Sequence, residues 1–248
     1  MAQDPTDITI DKESVDYDAF YRGRPLTAET DVAYPQVPWD IGEAQPAVVE
    51  LVEAADFRGP VLDAGCGPGD NAVLLARRGH EVTAFDSSTA ALREARERAA
   101  ALGARVDFVE ADATHLTELE GRRFATVLDS ALYHCLDDAQ RREYVAALHR
   151  VTEPGAELHL ICWAEGTAGV RQPMVVSEEN LRTVIGTCWD ITAVRLTSLT
   201  TAVVPSSLTD ADLDRFRRLG VTIDRERVRV DGEGRIVGPA WYLHAVRR

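Results

Sequence analysis

Gly65, Gly67 and Gly69 stand at alternate positions directly after the short apolar run Val61-Leu62, bracketed by Asp63 and Asp70. Alternating glycines let a backbone bend sharply and approach a ligand without Cβ clashes, which an ordinary strand-to-helix turn seldom requires. The charges around the turn separate the ligands it could hold. A dinucleotide turn of the form G-x-G-x-x-G needs glycine at position 70, where Asp70 stands, and two carboxylates beside the turn disfavour a pyrophosphate and suit a ligand with cationic groups. A phosphate-binding P-loop needs a lysine after the glycines, and the only lysine in the chain is Lys12. Asp70 is also placed to cap the helix that follows.

The elements that must position this turn are legible from periodicity. From Pro60 onward, strand-like runs at 60–64, 81–85, 105–109, 124–129 and 156–163 alternate with helical patterns near 70–78, 88–102 and 138–151, with Pro154-Gly155 as the turn before the fifth strand. That alternation predicts a doubly wound α/β fold, a parallel sheet with helices on both faces. Ligands in such sheets bind at the carboxyl ends of the strands, where Asp63, Asp86, Asp112 and Asp129 all fall. Asp86, closing the second strand, can accept two hydrogen bonds from a ribose diol; its alternative role is to cap the helix starting near Ser88. Further on, the pattern predicts a helix from Ser177 to Gly186, a long strand from Trp189 to Val204, a short helix from Leu208 to Leu219, a hairpin over Arg227–Val237 and a last strand over Ala240–Val246.

The loop Asp63-Ala64-Gly65-Cys66-Gly67-Pro68-Gly69, the acid Asp86, and Glu110-Ala111-Asp112-Ala113 after the third strand resemble, as an ordered set over roughly residues 37–165, the first three motifs of class I S-adenosylmethionine-dependent methyltransferases. Pro38-Trp39-Asp40-Ile41-Gly42 resembles the N-terminal lid of the small-molecule methyltransferases that act on thiopurines, thiols, halides and tellurite; alternatively, Trp39 only anchors its loop. The resemblance implies S-adenosylmethionine as cofactor, S-adenosylhomocysteine as product, and a Rossmann-like seven-stranded sheet whose last strand runs antiparallel. It assigns the cofactor to Asp63 (its ammonium, directly or through water), Gly65, Cys66, Gly67, Gly69, Asn71, Asp86, Ser87, Asp129 and the covering Trp39, with Asp112 and the Ala113 backbone at the adenine edge. In the family the loop after the fourth strand borders the acceptor. Tyr133 and His134 are therefore the candidates for orienting or deprotonating it, unless His134 only shapes the cofactor pocket.

Phe20, Tyr21 and Trp163 offer flat apolar surfaces for the acceptor. With those walls the expected acceptor is an oxygen, nitrogen or sulfur atom of an aromatic heterocycle or phenol, with thiol, halide or tellurite methylation as the alternative. Two readings from other classes are a non-catalytic S-adenosylmethionine-binding protein and a nicotinamide-dependent reductase. Transfer from a sulfonium needs alignment and exclusion of water more than covalent help, so the lack of a catalytic triad is consistent with it.

Composition bounds the rest. With 248 residues and 45% hydrophobic content the chain can bury one core, which predicts a single domain: tail and lid over 1–46, cofactor-binding core over 47–165, and the remainder of the sheet over 166–248 with an excursion at 206–237. A formal charge of −14 argues against nucleic acid or an anionic membrane as partner, and the arginines of 215–218 and 225–229 read as a solvated helix face and an edge strand. Cys66, Cys135, Cys162 and Cys188 show no metal-ligand spacing and read as free thiols; no metal site is expected. Residues 1–14 read as a polar tail without a signal peptide, and no apolar run reaches the roughly 18 residues of a membrane span. The expectation is a soluble cytoplasmic protein, monomer or homodimer, whose partner is a small-molecule acceptor.

Overall fold

The run Val61–Ala64 forms β1, buried at all four positions, as a strand covered on both faces must be. The computed structural model of the protein describes residues 15–25, 37–55, 57–166 and 169–248; the tail expected over 1–14 lies outside them. β1 pairs in parallel with β2 (Val82–Asp86), which pairs with β3 (Asp107–Glu110). On its other side it pairs with β4 (Phe124–Ser130), which pairs with β5 (Thr152–Trp163). The later strands are β6 (Val170–Arg171), β7 (Trp189–Thr200), β8 (Thr222–Ile223) and β9 (Val237–Arg247). β9 inserts antiparallel between β5 and β7, giving a seven-stranded sheet of order β3-β2-β1-β4-β5-β9-β7. The fold is therefore the mostly parallel α/β sheet with an antiparallel last strand that the family resemblance implies.

Alternation along β1 divides the core. Val61 faces a cluster containing Val48 and Leu51 of α2 (Pro46–Ala54), Leu75 of α3 (Asp70–Arg77) and Leu92 of α4 (Thr89–Ala101), while Leu62 and Ala64 face the opposite cluster. That second cluster holds Tyr144 and Leu148 of α5 (Asp138–Val151) with Leu181 and Ile185 of α6 (Glu178–Ile185). The helices start where side chains can satisfy free N–H groups: Ser88 accepts from Ala91, Ser177 accepts from Asn180, and Asp137 with Gln140 forms a capping box. A further short helix, α1 (Tyr17–Tyr21), lies near the start of α4. Among the described residues no helix is long and apolar enough to cross a membrane.

Four local expectations are corrected. Pro154-Gly155 is not a turn before the fifth strand but a bulge inside it: pairing jumps from Phe124–Thr152 to Thr126–Glu157, because proline lacks a ladder N–H and Gly155 takes φ +75°. The long strand beginning at Trp189 stops at Thr200, where Gln45 binds both backbone groups of that residue. The hairpin over 227–237 reduces to a single bridge, Val230–Ile236, around a turn in which Asp231 Oδ1 accepts from the N–H groups of Glu233 and Arg235. Gly69, not Asp70, occupies the N-cap of α3. Between β7 and β9 the chain forms α7 (Asp210–Arg218), capped by Thr209 and Asp212, and β8, which pairs with β6 as a separate two-stranded sheet.

Candidate functional site

The C-terminal ends of β1, β2, β4 and β5 open on a cavity of ≈ 300 Å³, at the lower end of the range of about 300–1,000 Å³ for small-molecule sites. Its floor is the glycine turn. Gly65 and Gly67 take φ +64° and +51°, and a Cβ would stand 2.7 Å from Leu132 Cβ at the first and 2.8 Å from the Tyr21 hydroxyl at the second. The backbone is thus exposed to the cavity where any side chain would intrude. Gly69 serves packing instead, since its Cβ would meet Ala95 and Phe108; it lets the turn pack on α4 and β3 and does not itself line the cavity.

Asp86 holds the turn from the neighbouring strand. Its Oδ2 accepts the Gly67 N–H at 2.9 Å and its Oδ1 the Ser88 N–H at 2.8 Å. Burial raises its pKa, against which these N–H groups act to lower it. Cys66, Asn71, Ser87 and Ala113 line the same end of the cavity. Asn71 Oδ1 accepts the Gln45 N–H at 3.1 Å, tying the start of α2 to the turn.

An aromatic cover of Tyr21 and Trp39 lies over the turn. Trp39 Nε1–H donates to the Tyr21 hydroxyl at 2.7 Å, and Phe20 stacks on the Trp39 indole with centroids 5.1 Å apart. Two anchors hold it. Asp18 Oδ1 accepts from Ser88 Oγ and from the Ala90 N–H, both at 2.9 Å, while Arg22 bonds its other oxygen at 2.6 Å; Arg22 and then the Ala90 N–H hold the Asp18 carboxyl well below the usual range. Arg98 bridges Asp40 of the Trp39 segment (2.8 Å) to Asp70 at the turn (2.5 Å), and Glu94 joins the cluster. The two carboxylates expected to bracket the turn therefore differ: Asp70 is paired with Arg98, whereas Asp63 is not paired with a cation.

Asp63 is buried beneath the turn, and its Oδ2 has no hydrogen-bond partner. Burial, then the neighbouring Asp129, push its pKa up to about 8. Asp129 also lies below the cavity wall. Its Oδ1 accepts from the N–H groups of Leu132 and Tyr133, and its Oδ2 from the Tyr144 hydroxyl at 2.9 Å, so it organises the loop after β4; burial raises its pKa to about 7. In that loop Ala131 takes φ +85°, a strained conformation for alanine.

The strained loop divides the two residues assigned to the acceptor. Tyr133 points into the core, fully buried, with its hydroxyl donating to Asn180 Oδ1 at 3.0 Å and Arg141 over its ring. It is away from the cavity, which His134 lines. The Trp163 N–H donates to His134 Nδ1 at 3.4 Å, which ties the ring to the end of β5. Asp112 lies in an exposed local turn, where its Oδ1 accepts from the N–H and hydroxyl of Thr114, between Ala111 and Ala113, which line the cavity. Phe20 lies behind Trp39 and outside the cavity lining, whereas Tyr21, Trp39 and Trp163 are in it.

Sequence reasoning missed the far wall. Met174 before α6, and Phe216, Leu219, Val221 and Ile223 of the excursion, also line the cavity. The i, i+3 spacing of Phe216 and Leu219 among charged residues was the available signal. Tyr17 also lines the cavity, its hydroxyl 3.7 Å from Met174 Sδ.

A glycine turn after the first strand, an acid ending the second, and the strand order of the sheet define the architecture of a class I S-adenosylmethionine methyltransferase. Residues 61–155 match the methyltransferase domain family. The chain is 34% identical over 186 residues to the 2-heptyl-1-hydroxyquinolin-4(1H)-one methyltransferase of Mycobacteroides abscessus, spanning 73% of this chain and 80% of that protein. A solved structure from work on the conversion of a disulfide bond into a thioacetal group during echinomycin biosynthesis matches with a TM-score of 0.72 at 31% identity, covering 93% of this chain and 91% of that one. Thiocyanate methyltransferase 1 of Brassica oleracea is 27% identical over 122 residues, 49% of this chain and 54% of that protein. The chain belongs to the S-adenosylmethionine-dependent methyltransferases.

Proposed function

We propose that the protein methylates an oxygen, nitrogen or sulfur atom of an aromatic heterocycle or phenol that carries apolar substituents. The observation that carries this reading is the apolar and aromatic lining of the cavity, to which Trp163, Phe216, Leu219, Val221 and Ile223 all contribute. A planar ring gains burial and stacking from such surfaces, whereas an inorganic anion gains neither. The relative from Mycobacteroides abscessus is named for a hydroxyquinolinone bearing a heptyl chain, a molecule with both parts.

The residues present fit the cofactor. Gly65 and Gly67 leave bare backbone at the cavity floor, Asp86 retains lone pairs for a ribose diol beside the two N–H groups it already holds, and the unpartnered Asp63 Oδ2 below the turn suits an ammonium reached through water. S-adenosylmethionine supplies an electrophilic methyl on a sulfonium. The chain aligns the acceptor and keeps water out: Tyr21 and Trp39 cover the turn, and His134, in the cavity lining, orients the acceptor toward the methyl. An acceptor that ionises near neutral pH then needs no protein base.

A specific observation favours thiols as the second reading, since the 31% identical structure comes from work on a disulfide-to-thioacetal conversion. One experiment separates the two. Hydroxyquinolines, phenols, aromatic and aliphatic thiols, iodide, thiocyanate and tellurite are offered at equal concentration with labelled S-adenosylmethionine. The expected result is turnover of ring-borne acceptors at least about tenfold above every aliphatic thiol and inorganic anion; preference for either of those groups overturns the proposal.

A further inference from the structure

A second cluster of chemistry-bearing side chains lies on the sheet away from this cavity. His159 of β5 and His244 of β9 are directly paired across the antiparallel ladder, and Glu157 precedes His159 by two residues on the same face. Trp163, which lines the cavity, is four residues further along β5, about 13 Å at roughly 3.3 Å per residue. The cluster is thus separate from the methyltransferase machinery.

Each histidine is oriented by a hydroxyl on Nδ1. His159 Nδ1 lies 2.9 Å from the Tyr242 hydroxyl, and His244 Nδ1 lies 2.5 Å from Thr192 Oγ1. Thr192 reaches that position because the β7–β9 register shifts between Ile191 and Ala193, and bulges of this kind re-aim a side chain. Both Nε2 atoms are left facing Glu157 Oε2, at 3.5 Å from His159 and 3.7 Å from His244. One ligand atom from each of the three residues lies within 4.8 Å of the other two. Ligand atoms of a tetrahedral zinc site, with bonds of about 2.0–2.2 Å, stand about 3.3–3.5 Å apart, so small side-chain rotations close the set.

The Nε2 of His159 adds an independent reason. The residue is 2% exposed, stacked on Phe57 at 4.6 Å, and this nitrogen has no hydrogen-bond partner. An orphaned buried polar atom is costly and calls for an unseen partner. Glu157 and His244 are only partly covered, 29% and 22% exposed as side chains, which gives an ion an entry path and a water as fourth ligand.

We propose that Glu157, His159 and His244 bind one divalent transition-metal ion. Two imidazoles and one carboxylate favour zinc, cobalt or nickel over magnesium or calcium. The ion bridges β5 and the antiparallel β9 as a structural clip, with Tyr242 and Thr192 as the hydroxyls that fix ligand orientation.

The test uses untagged full-length protein, stripped with chelator and desalted, then titrated with Co²⁺ alone and next with Zn²⁺. The expected result is one Co²⁺ per chain, read as visible ligand-field bands and by elemental analysis after dialysis, and its displacement by Zn²⁺. His244→Ala and Glu157→Gln should weaken Co²⁺ binding at least about 100-fold while retaining S-adenosylhomocysteine binding as a check on folding, and Thr192→Val should weaken it about tenfold. His115→Ala, an exposed histidine elsewhere, should change nothing. Wild-type protein that binds less than about 0.1 equivalent overturns the proposal, as does a folded His244→Ala or Glu157→Gln that binds Co²⁺ like wild type.

Discussion

Asp86→Ala separates the cofactor role of this carboxylate from its structural one. In the structure both oxygens are already used, by Gly67 N–H at 2.9 Å and Ser88 N–H at 2.8 Å. Truncation removes those two acceptors and also the bonds proposed for the ribose. A hydrogen bond to a charged group contributes about 1.5–3 kcal/mol, so loss of one such net bond weakens S-adenosylhomocysteine binding about 10- to 150-fold. Gly67 borders the cavity, where water can reach its freed N–H, whereas the Ser88 N–H is left buried, so the unfolding free energy should fall by about 1–3 kcal/mol. Asp86→Asn keeps one carbonyl oxygen and should fall between wild type and Asp86→Ala on both scales. Titration calorimetry gives the affinity, and urea unfolding gives the stability. Unchanged cofactor affinity in a folded Asp86→Ala protein refutes the assignment. A stability loss with no affinity loss leaves Asp86 as a scaffold for the turn alone.

Three further outcomes are expected. Because burial raises the Asp63 pKa from 3.8 to about 8, the folded protein keeps a proton that the unfolded chain releases; the stability this residue contributes is full below about pH 4 and lost as pH rises toward 8. Asp63→Asn should therefore raise the urea midpoint at pH 8 more than at pH 5 in the ligand-free protein, and parallel pH profiles would contradict the reading. Tyr21→Phe removes the acceptor of the Trp39 indole N–H over Gly67, which should weaken S-adenosylhomocysteine binding about 5- to 10-fold; in wild type the same ligand should slow hydrogen exchange over residues 15–25 and 37–45, and unchanged exchange there argues against a lid. Phe216→Ala should raise the KM for an aromatic acceptor about tenfold, from the roughly 1.5–3 kcal/mol of a buried phenylalanine shared between fold and ligand, with cofactor affinity unchanged; an equal loss of cofactor affinity would place Phe216 elsewhere in function.

What was legible in the sequence was local. The glycine turn and Asp86 announce themselves through spacing within or at the end of single elements, and the strand-helix alternation from residue 60 predicts the sheet. The side-chain directions inside the loops were not legible. Asp129 and Tyr133 sit at the right strand end, but the positive φ of Ala131 turns the loop so that Asp129 caps its N–H groups from below and Tyr133 enters the core. Asp112 folds back on Thr114 in the manner short acids share with turns generally. Partners far apart in sequence were illegible altogether. Arg98 neutralises Asp70 from a position 28 residues away, and His159 meets His244 only because β9 inserts beside β5; neither pairing has a spacing that a reader of the chain could recognise.

Those distant pairings change the electrostatic argument for the acceptor. The composition suggests a strongly anionic cavity that would repel small anions. At the site, however, Asp70 and Asp40 share Arg98, and burial holds Asp63 and Asp129 with pKa values of about 8 and about 7, so much of their charge is absent at neutral pH. Asp86, whose pKa burial also raises, lines the cavity beside the turn. In the proposed reading, shape and apolar contact choose the acceptor alongside this charge, and the apolar surfaces include residues of the excursion between β7 and β9 and of the segment before α6. A chain with the same turn, Asp86 and lid but a different excursion would keep its cofactor and accept another class of molecule, because the two halves of the cavity are built by separate parts of the fold.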